Sequence, residues 1–255
     1  MTRSVSQTEQ YLAKCAHAYY LRRVEGVVPR PAAWSHQGTA FHGASETYEI
    51  GGRKADEGFI ADLFSQDYSA AVNRDLDREP DLKQWMTAGP DAASDIESRY
   101  VLGREQTKAY VRWAQKNGPA LWKDEKGKPG VELHLTANIG GIKVQGYIDQ
   151  LVSEPDGSVR VRDLKTGTMK SRFQLETYAI LVRKALGLVV NKGDWYMAKR
   201  NGLSRPLDLS KVTEDQVGEK YARMDAGVKA GDFPANPGFG CRFCDVSHAC
   251  TFKRR

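Results

Sequence analysis

The chain has 255 residues, a formal net charge of +6 at pH 7 and a sequence pI near 9.0, which suits a polyanionic partner such as a nucleic acid. A chain of this length can bury about 70–75% of its unfolded surface, so one compact domain is the simplest organisation. The sequence contains no long apolar segment, no signal peptide and no G-x-x-x-x-G-K-[ST] motif. We therefore expect a cytoplasmic protein that neither crosses a membrane nor uses ATP.

The N-terminal half is predicted to be helical, with helices at residues 6–22, 38–50, 56–78 and 91–118. Ser6 to Glu9 form a capping-box pattern at the start of the first helix. Thr39 is predicted to cap the second helix, which carries His42. A single histidine on a helix is most often structural, so His42 becomes a candidate ligand only in combination with other residues.

Three strands are predicted next, at residues 130–138, 142–153 and 158–165. Gly140-Gly141 and Asp156-Gly157 are turn signals that connect these strands as two hairpins. In the first strand, Glu132 alternates with apolar residues and is predicted to face away from the core. Glu132 is therefore either an acidic residue of a cleft or an ordinary surface charge.

The hairpins place Asp149 and Asp163 on neighbouring strands, and Lys165 shares the strand face of Asp163. Carboxylate oxygens are the ligands that Mg²⁺ and Mn²⁺ prefer, and a lysine beside them can orient or deprotonate an attacking water. An Asp-x-Lys pair by itself is usually a solvated ion pair. The order of the motifs around this pair makes the catalytic interpretation the stronger one.

A further helix is predicted at 171–187, and it carries Gln174 and Tyr178 on one side because they are four residues apart. A strand near 193–198, an extended piece at 206–209 and a helix at 213–231 follow. Three strands, a helix and another strand in this order predict an α/β core in which the helix is a crossover.

The motifs GYID (146–149), DLK (163–165) and QLETY (174–178) resemble those of the PD-(D/E)XK nuclease superfamily, in its RecB-like exonuclease branch. The resemblance implies an α/β fold with a restriction-endonuclease-like core, a mixed central sheet flanked by helices, after an N-terminal helical region. It also implies a metal-dependent exonuclease that hydrolyses single-stranded DNA or DNA ends. Recombination, repair, phage DNA processing and CRISPR adaptation are the settings in which such enzymes act.

The same resemblance implies the metal site. The ligands of one or two Mg²⁺ or Mn²⁺ ions would be the side chains of His42, Asp149 and Asp163 and the main-chain carbonyl of Leu164. A histidine ligand would favour Mn²⁺ over a site lined only by oxygen. Lys165 would position or activate the attacking water, and the product would carry a 5′ phosphate.

The remaining predicted site residues would contact the substrate. Gln174 and Tyr178 would line the DNA path, where an amide and a hydroxyl can donate to phosphate oxygens. Glu132 would be the acidic residue upstream of the main motifs, a position whose role varies within the family.

Four cysteines form a second candidate metal site. Cys241, Cys244 and Cys250 make a C-x2-C-x5-C cluster, and Cys15 stands alone near the N-terminus. Four thiolates can hold either a 4Fe-4S cluster or a zinc ion, and His248 can replace one cysteine in a zinc site. The one-plus-three arrangement resembles the iron–sulfur staple of the RecB-like branch. That resemblance implies a structural 4Fe-4S cluster that ties the last segment to the first helix.

We expect one nuclease domain over residues 1–255, divided into N-terminal helices (1–50), a helical insertion (51–128), the catalytic core (129–200) and a C-terminal helix with the cysteine cluster (201–255). The basic tail Lys253 to Arg255 is a candidate phosphate contact. A homo-oligomer, or a recombination or CRISPR partner protein, is compatible with the resemblance. The alternative functions are a catalytically silent scaffold and a zinc-stapled nucleic-acid-binding protein.

Overall fold

A mixed sheet of six strands forms the centre of the computed structural model, which describes residues 1–168 and 171–253. The strand order is β1-β2-β3-β4-β5, and β6 also pairs with β4. The strands are β1 (Val131–Ile139), β2 (Ile142–Ser153), β3 (Val159–Lys165), β4 (Val190–Met197), β5 (Gly202–Leu203) and β6 (Leu207–Asp208). The helices are α1 (Val5–Glu9), α2 (Ala16–Arg23), α3 (Ala33–Ile50), α4 (Glu57–Arg78), α5 (Ala92–Asn117), α6 (Arg172–Leu186) and α7 (Glu214–Lys229).

The connections within the sheet are those predicted from the turn residues. The pairs β1–β2 and β2–β3 are antiparallel, and β3 and β4 are parallel with α6 as their crossover. Gly140, Gly141 and Gly157 have φ values of 58°, 82° and 79°, a backbone conformation that favours glycine in tight hairpin turns. The fourth strand begins at Val190, three residues before the predicted start, and the short β5 was not predicted.

Two hydrophobic cores lie on opposite faces of the sheet. One joins β1–β4 to α6 and α7 and includes Ile148, Val161 and Leu181. The other joins α3, α4 and α5 to the far face through Leu164 and Tyr196. The segment predicted as a helical insertion (51–128) thus forms, with α3, the layer that covers this second face. No described helix combines the length and the apolar character needed to span a bilayer.

The predicted first helix (6–22) is wrong as a continuous element. It is three pieces: α1, a π-helical turn at Gln10–Lys14, and α2, with an extended Cys15 between the last two (φ −163°, ψ 116°). Ser4 rather than Ser6 caps α1, because its side chain accepts from the amide of Gln7. The competing contacts come from the C-terminal segment: the amide of Asn236 donates to Cys15 Sγ at 3.4 Å.

The second helix also differs from its prediction, since α3 begins at Ala33 rather than near residue 38, and Thr39 lies inside it. Farther upstream, Arg3 forms a parallel bridge to Val144 of β2 and a buried ion pair of 2.5 Å with Asp225 of α7. The N-terminus is therefore fixed to the sheet. Arg254 and Arg255 of the predicted basic tail lie outside the described residues.

Candidate active site at the fork of the sheet

Strands β2 and β3 separate where their acidic residues lie. Their ladder runs from Ser153↔Val159 to Gln150↔Arg162 and is not continued at Asp149. The carboxylate of Asp149 replaces the missing ladder partner, because its Oδ2 accepts from the amide of Leu164 at 2.7 Å. Asp149 and Asp163 are only 6% and 1% exposed. Two carboxylates are thus held in a buried position where the sheet opens.

His42 reaches this fork from α3. Its Nε2 lies 3.0 Å from the carbonyl oxygen of Leu164, and its Nδ1 lies 3.3 Å from Glu132 Oε1 and 3.5 Å from Asp149 Oδ2. Carbonyl and ionised carboxylate oxygens only accept hydrogen bonds, so both ring nitrogens donate and the imidazole is charged. Burial lowers the pKa of His42, but Asp149, Glu132 and Asp163 outweigh it and raise that pKa to about 9.

Glu132 has an unusual backbone conformation. The β1–β2 register places it opposite Asp149, between the pairs Val131↔Gln150 and Leu133↔Ile148, yet its φ is +45°. A non-glycine residue in this left-handed region costs about 1–3 kcal/mol and persists only where surrounding contacts impose it. In this conformation the Glu132 carboxylate contacts the imidazole of His42.

Lys165 continues the site toward α6. Its Nζ lies 3.1 Å from Asp163 Oδ1, 2.9 Å from Asp163 Oδ2 and 3.1 Å from Gln174 Oε1. Gln174 in turn donates to the hydroxyl of Tyr178 at 2.8 Å. Ser171 caps α6 by accepting from the amide of Gln174 at 3.0 Å, which fixes the helix start beside the site. Ammonium, amide and hydroxyl groups therefore form one hydrogen-bonded line next to the carboxylates.

The site has more negative charge than its buried surroundings favour. Burial, with Asp163 and Glu132 nearby, raises the pKa of Asp149 to about 7 although His42 opposes the rise. Burial likewise raises the pKa of Asp163 despite Lys165 and His42, and it raises the pKa of the Tyr178 hydroxyl far above 10. A bound cation would relieve this repulsion.

The donor atoms fit a divalent metal ion. Among the described residues, one set of three or more His, Cys, Asp or Glu side chains has donor atoms that all lie within 4.8 Å of one another. Its members are His42, Glu132 and Asp149. Cis ligands of an octahedral ion at about 2.1 Å lie about 3 Å apart. The distances from His42 Nδ1 are close to that separation, at 3.3 Å to Glu132 Oε1 and 3.5 Å to Asp149 Oδ2.

The structure brings the sequence-predicted active-site residues into one region. They are His42, Glu132, Asp149, Asp163, Leu164, Lys165, Gln174 and Tyr178. Glu132 contacts His42 at 3.3 Å. Asp163 is on the Lys165 side, outside the compact group of three donors.

Two buried glutamines were missed by sequence reasoning. Gln106 of α5 donates to the carbonyl of Thr166 at 3.1 Å, one residue beyond Lys165, and accepts from Gln37 of α3 at 2.7 Å. They are 4% and 1% exposed, so they couple the helical layer to the end of β3. The only available signal was two glutamines at core positions of helices, and helical periodicity alone does not detect it.

The four cysteines line one cavity of about 1040 Å³ between the N-terminal helices and the C-terminal segment. All four are free, and Cys15, Cys244 and Cys250 pack against the same small cluster around Val246. Burial raises the pKa of Cys244, and so do the nearby Asp245, Cys15 and Cys250. The fold therefore brings Cys15 to the same cavity as the three C-terminal cysteines.

Comparisons with known proteins agree with this geometry. The sequence profile of the PD-(D/E)XK nuclease superfamily matches residues 2–251. The gene 69 protein of Mycobacterium phage D29 is 38% identical over 259 residues, which cover 97% of this chain and 96% of that protein. The gene 69 protein of Mycobacterium phage L5 is 35% identical over 278 residues, covering 97% and 95%. The crystal structure of an inferred exonuclease from Eubacterium rectale covers 100% of this chain and 90% of its own at 11% identity, with a TM-score of 0.46.

Proposed function

This chain belongs to the PD-(D/E)XK nuclease superfamily, and from that premise we propose that it is a metal-dependent DNA exonuclease acting on single-stranded DNA or DNA ends. The observation that carries the proposal is the fork of the sheet. There the metal-capable group of His42, Glu132 and Asp149 lies beside the Lys165–Asp163 pair. The positive net charge of the chain, +6, supports a polyanionic substrate.

We assign the metal to His42, Asp149, Asp163 and the Leu164 carbonyl, with Glu132 as a further carboxylate beside it. Bound Mg²⁺ or Mn²⁺ supplies Lewis-acid polarisation of the phosphate and a lowered pKa for water. A histidine among oxygen ligands favours Mn²⁺. The Leu164 amide holds Asp149 in place through its 2.7 Å hydrogen bond, so that carboxylate is oriented before any ligand arrives.

The groups on the other side of the site act on water and substrate. Lys165 Nζ, fixed between Asp163 and Gln174, orients the attacking water and stabilises negative charge that develops on the phosphate. Gln174 and Tyr178 present an amide and a hydroxyl that can donate to phosphate oxygens. Hydrolysis in this arrangement leaves a 5′ phosphate on the product.

The direct test is digestion of end-labelled linear single-stranded and duplex DNA in Mn²⁺, Mg²⁺ or EDTA. Wild type should digest DNA only with metal, and the position of the label gives the polarity. Lys165→Met should slow single-turnover cleavage by about 10²–10⁴-fold while DNA binding is retained. Lys192→Met is the matched control, because Lys192 is a half-exposed strand lysine that pairs with Glu154 away from the fork.

Two outcomes would contradict this assignment. A wild-type protein that binds DNA but digests none of these substrates in any metal would be a silent scaffold. A Lys165→Met variant as active as wild type would make the Lys165–Asp163 pair structural.

For the cysteine cavity we propose a structural 4Fe-4S cluster bound by Cys15, Cys241, Cys244 and Cys250. A tetrahedral zinc ion with Zn–S bonds of about 2.3 Å holds its sulfur atoms about 3.8 Å apart. No three of the described cysteine sulfur atoms lie within 4.8 Å of one another. A cubane cluster spaces its thiolates more widely, since each thiolate binds a different iron atom, and it needs a roomy cavity such as this one.

Metal analysis of protein purified without oxygen tests the cluster. We expect a brown protein with a broad visible absorbance band and about four iron atoms per chain. A colourless protein with one zinc ion per chain would overturn the assignment.

A further inference from the structure

An exposed pair of stacked rings lies beside the fork. His134 of β1 and Tyr147 of β2 are register partners, and their ring centroids are 4.6 Å apart with an interplanar angle of 20°. Tyr147 is 55% exposed although it belongs to a strand whose next residues are buried. His134 is also exposed, and its Nε2 lies 3.4 Å from Gln145 Oε1, which helps to orient the ring.

The position of the pair relates it to the active site. His134–Tyr147 is separated from the Glu132–Asp149 position by two residues along the same hairpin, or roughly 7 Å. The two positions are adjacent along both strands, and His42 of α3 contacts Glu132 and Asp149 there. The His134–Tyr147 pair therefore lies next to the metal-capable group along this hairpin.

Tyr147 has a ladder partner on one side only. On the side of β2 away from His134, the β2–β3 ladder ends at Gln150 and the bridge from Arg3 joins Val144, so no ladder partner of Tyr147 is found there among the described residues. Within the described residues, His134 is the only ring that packs against Tyr147, and the Tyr147 hydroxyl makes no hydrogen bond there. One face of the tyrosine ring is backed by an aromatic ring, and the side chain remains 55% exposed two register pairs from the Glu132–Asp149 position.

We propose that His134 and Tyr147 form a base-stacking subsite for a nucleobase adjacent to the phosphate being cleaved, an inference that rests on the proposed nuclease function. Nucleobases stack on exposed aromatic rings with little dependence on sequence, which suits an enzyme that removes successive nucleotides. Stacking would fix the strand while the phosphate occupies the metal site. His134 backs the tyrosine ring and restricts its rotation, so Tyr147 is the ring that contacts the base.

The competing explanation is a cross-strand aromatic pair that only stabilises the hairpin, a contribution of roughly 0.2–1 kcal/mol for such pairs. Binding therefore has to be measured separately from stability and cleavage. Full-length protein in EDTA is mixed with short single-stranded DNA carrying 2-aminopurine at successive positions from the end. Stacking on a ring quenches this fluorescent base, and we expect quenching at one position.

Tyr147→Leu should abolish that quenching and raise the KM for single-stranded DNA about tenfold, with kcat within about twofold of wild type. Tyr147→Phe should retain both properties, because the ring remains. Asn138→Ala is the matched control: Asn138 is an exposed residue on the same face of β1 as His134, four register pairs farther from the fork. An abasic nucleotide at the quenched position should raise the KM of wild type about tenfold and leave the KM of Tyr147→Leu unchanged.

Quenching and KM values in Tyr147→Leu equal to those of wild type would overturn the subsite, even if its thermal stability falls. Failure of the two proposals can be told apart. If wild type cleaves nothing but quenches at one position through Tyr147, the nuclease assignment fails and the subsite stands. If wild type cleaves DNA and no variant changes the quenching, the nuclease assignment stands and the subsite fails.

Discussion

Glu132 combines backbone strain with a candidate functional carboxylate, so its two contributions can be separated by mutation. Glu132→Gly removes both the strained φ of +45° and the carboxylate, while Glu132→Gln removes only the charge. In EDTA we expect the free energy of unfolding of the Gly variant to exceed that of the Gln variant by about 1 kcal/mol. Urea unfolding measures the difference.

Both Glu132 variants should bind Mn²⁺ more weakly and cleave DNA more slowly than wild type, because the carboxylate beside His42 is lost. A Gly variant less stable than the Gln variant would show that the glutamate conformation is relaxed in its local surroundings. Unchanged Mn²⁺ affinity in both variants would show that Glu132 is an ordinary surface charge.

The titrating pair in the site predicts how stability depends on pH. The pKa of Asp149 is about 7 in the folded protein against 3.8 for the free group, and that of His42 is about 9 against 6.5. Between each pair of values the folded state binds more protons than the unfolded state, so stability falls as pH rises. Without metal, the free energy of unfolding should therefore decrease from about pH 5 to about pH 9.

Urea unfolding in EDTA across this pH range measures the decrease. His42→Asn should remove the contribution of the imidazole, while the contribution of Asp149 extends to higher pH because His42 no longer lowers its pKa. Mn²⁺ should oppose the trend, since ligands must lose protons to bind metal and affinity then rises with pH. A metal-free stability that rises toward pH 9 would contradict the charge arrangement at the fork.

Sequence reasoning relates side chains of the candidate site that are close in the chain, but it does not detect contacts between distant residues. Strand alternation and helical spacing suffice to place Asp163 with Lys165 and Gln174 with Tyr178, because these relations are local. The hydrogen bond from Gln106 to Thr166 joins residues sixty positions apart, and nothing in the local pattern specifies it. The left-handed backbone of Glu132 was equally unavailable, since glutamate has no preference for it.

At the scale of elements, the packing of α4 on α5 depends on one glycine. A Cβ atom at Gly103 would lie 2.1 Å from Cζ of the fully buried Phe64, a distance that no relaxed contact allows. Gly103→Ala should therefore lower the free energy of unfolding by about 1–3 kcal/mol, although alanine is the better helix former. Chemical denaturation measures the change.

Gly38→Ala is the matched control. Gly38 is also helical, but a Cβ there would meet nothing closer than 3.8 Å, so this variant should be as stable as wild type or more stable by up to about 1 kcal/mol. Combining Gly103→Ala with Phe64→Leu should cost less than the sum of the two single changes. Full additivity would show that α5 moves away instead of pressing on Phe64.

The predicted elements agree best with the structure where local signals decide. The turn glycines and the alternating strands predicted β1–β3 to within one or two residues, and the bounds of α4, α5 and α6 were equally close. The first helix failed because its interruption is tertiary. Cys15 contacts Asn236, and the amide of His17 donates to the carbonyl of Pro234, so residues far along the chain outweigh the helical propensity of this segment.

At the scale of the molecule, the chain ends are joined at several points. Arg3 pairs with Asp225, Arg22 pairs with Asp245 at 2.6 Å, and the proposed cluster would add a third connection through Cys15. Cys244→Ser should release the cluster and expose segments before residue 24 and after residue 232 to protease, while the sheet stays protected. Limited proteolysis followed by mass spectrometry detects these sites.

Arg22→Gln is the control for this experiment, because its ion pair is partly exposed and such pairs contribute about 0–1 kcal/mol. It should leave the digestion pattern unchanged. If Cys244→Ser instead makes the central strands as sensitive as the termini, the cluster supports the whole fold and not only its ends.

Leu164 has a consequence for genetics. Its amide donates to Asp149 and its carbonyl oxygen lies 3.0 Å from His42, while its side chain is only a core residue, 3% exposed. Every amino acid except proline carries the same two main-chain groups. A saturation mutagenesis screen would therefore tolerate apolar replacements at this codon and class the position as hydrophobic filling. Part of the candidate site is thus formed by main-chain groups, and among substitutions at this codon only proline removes one of them directly.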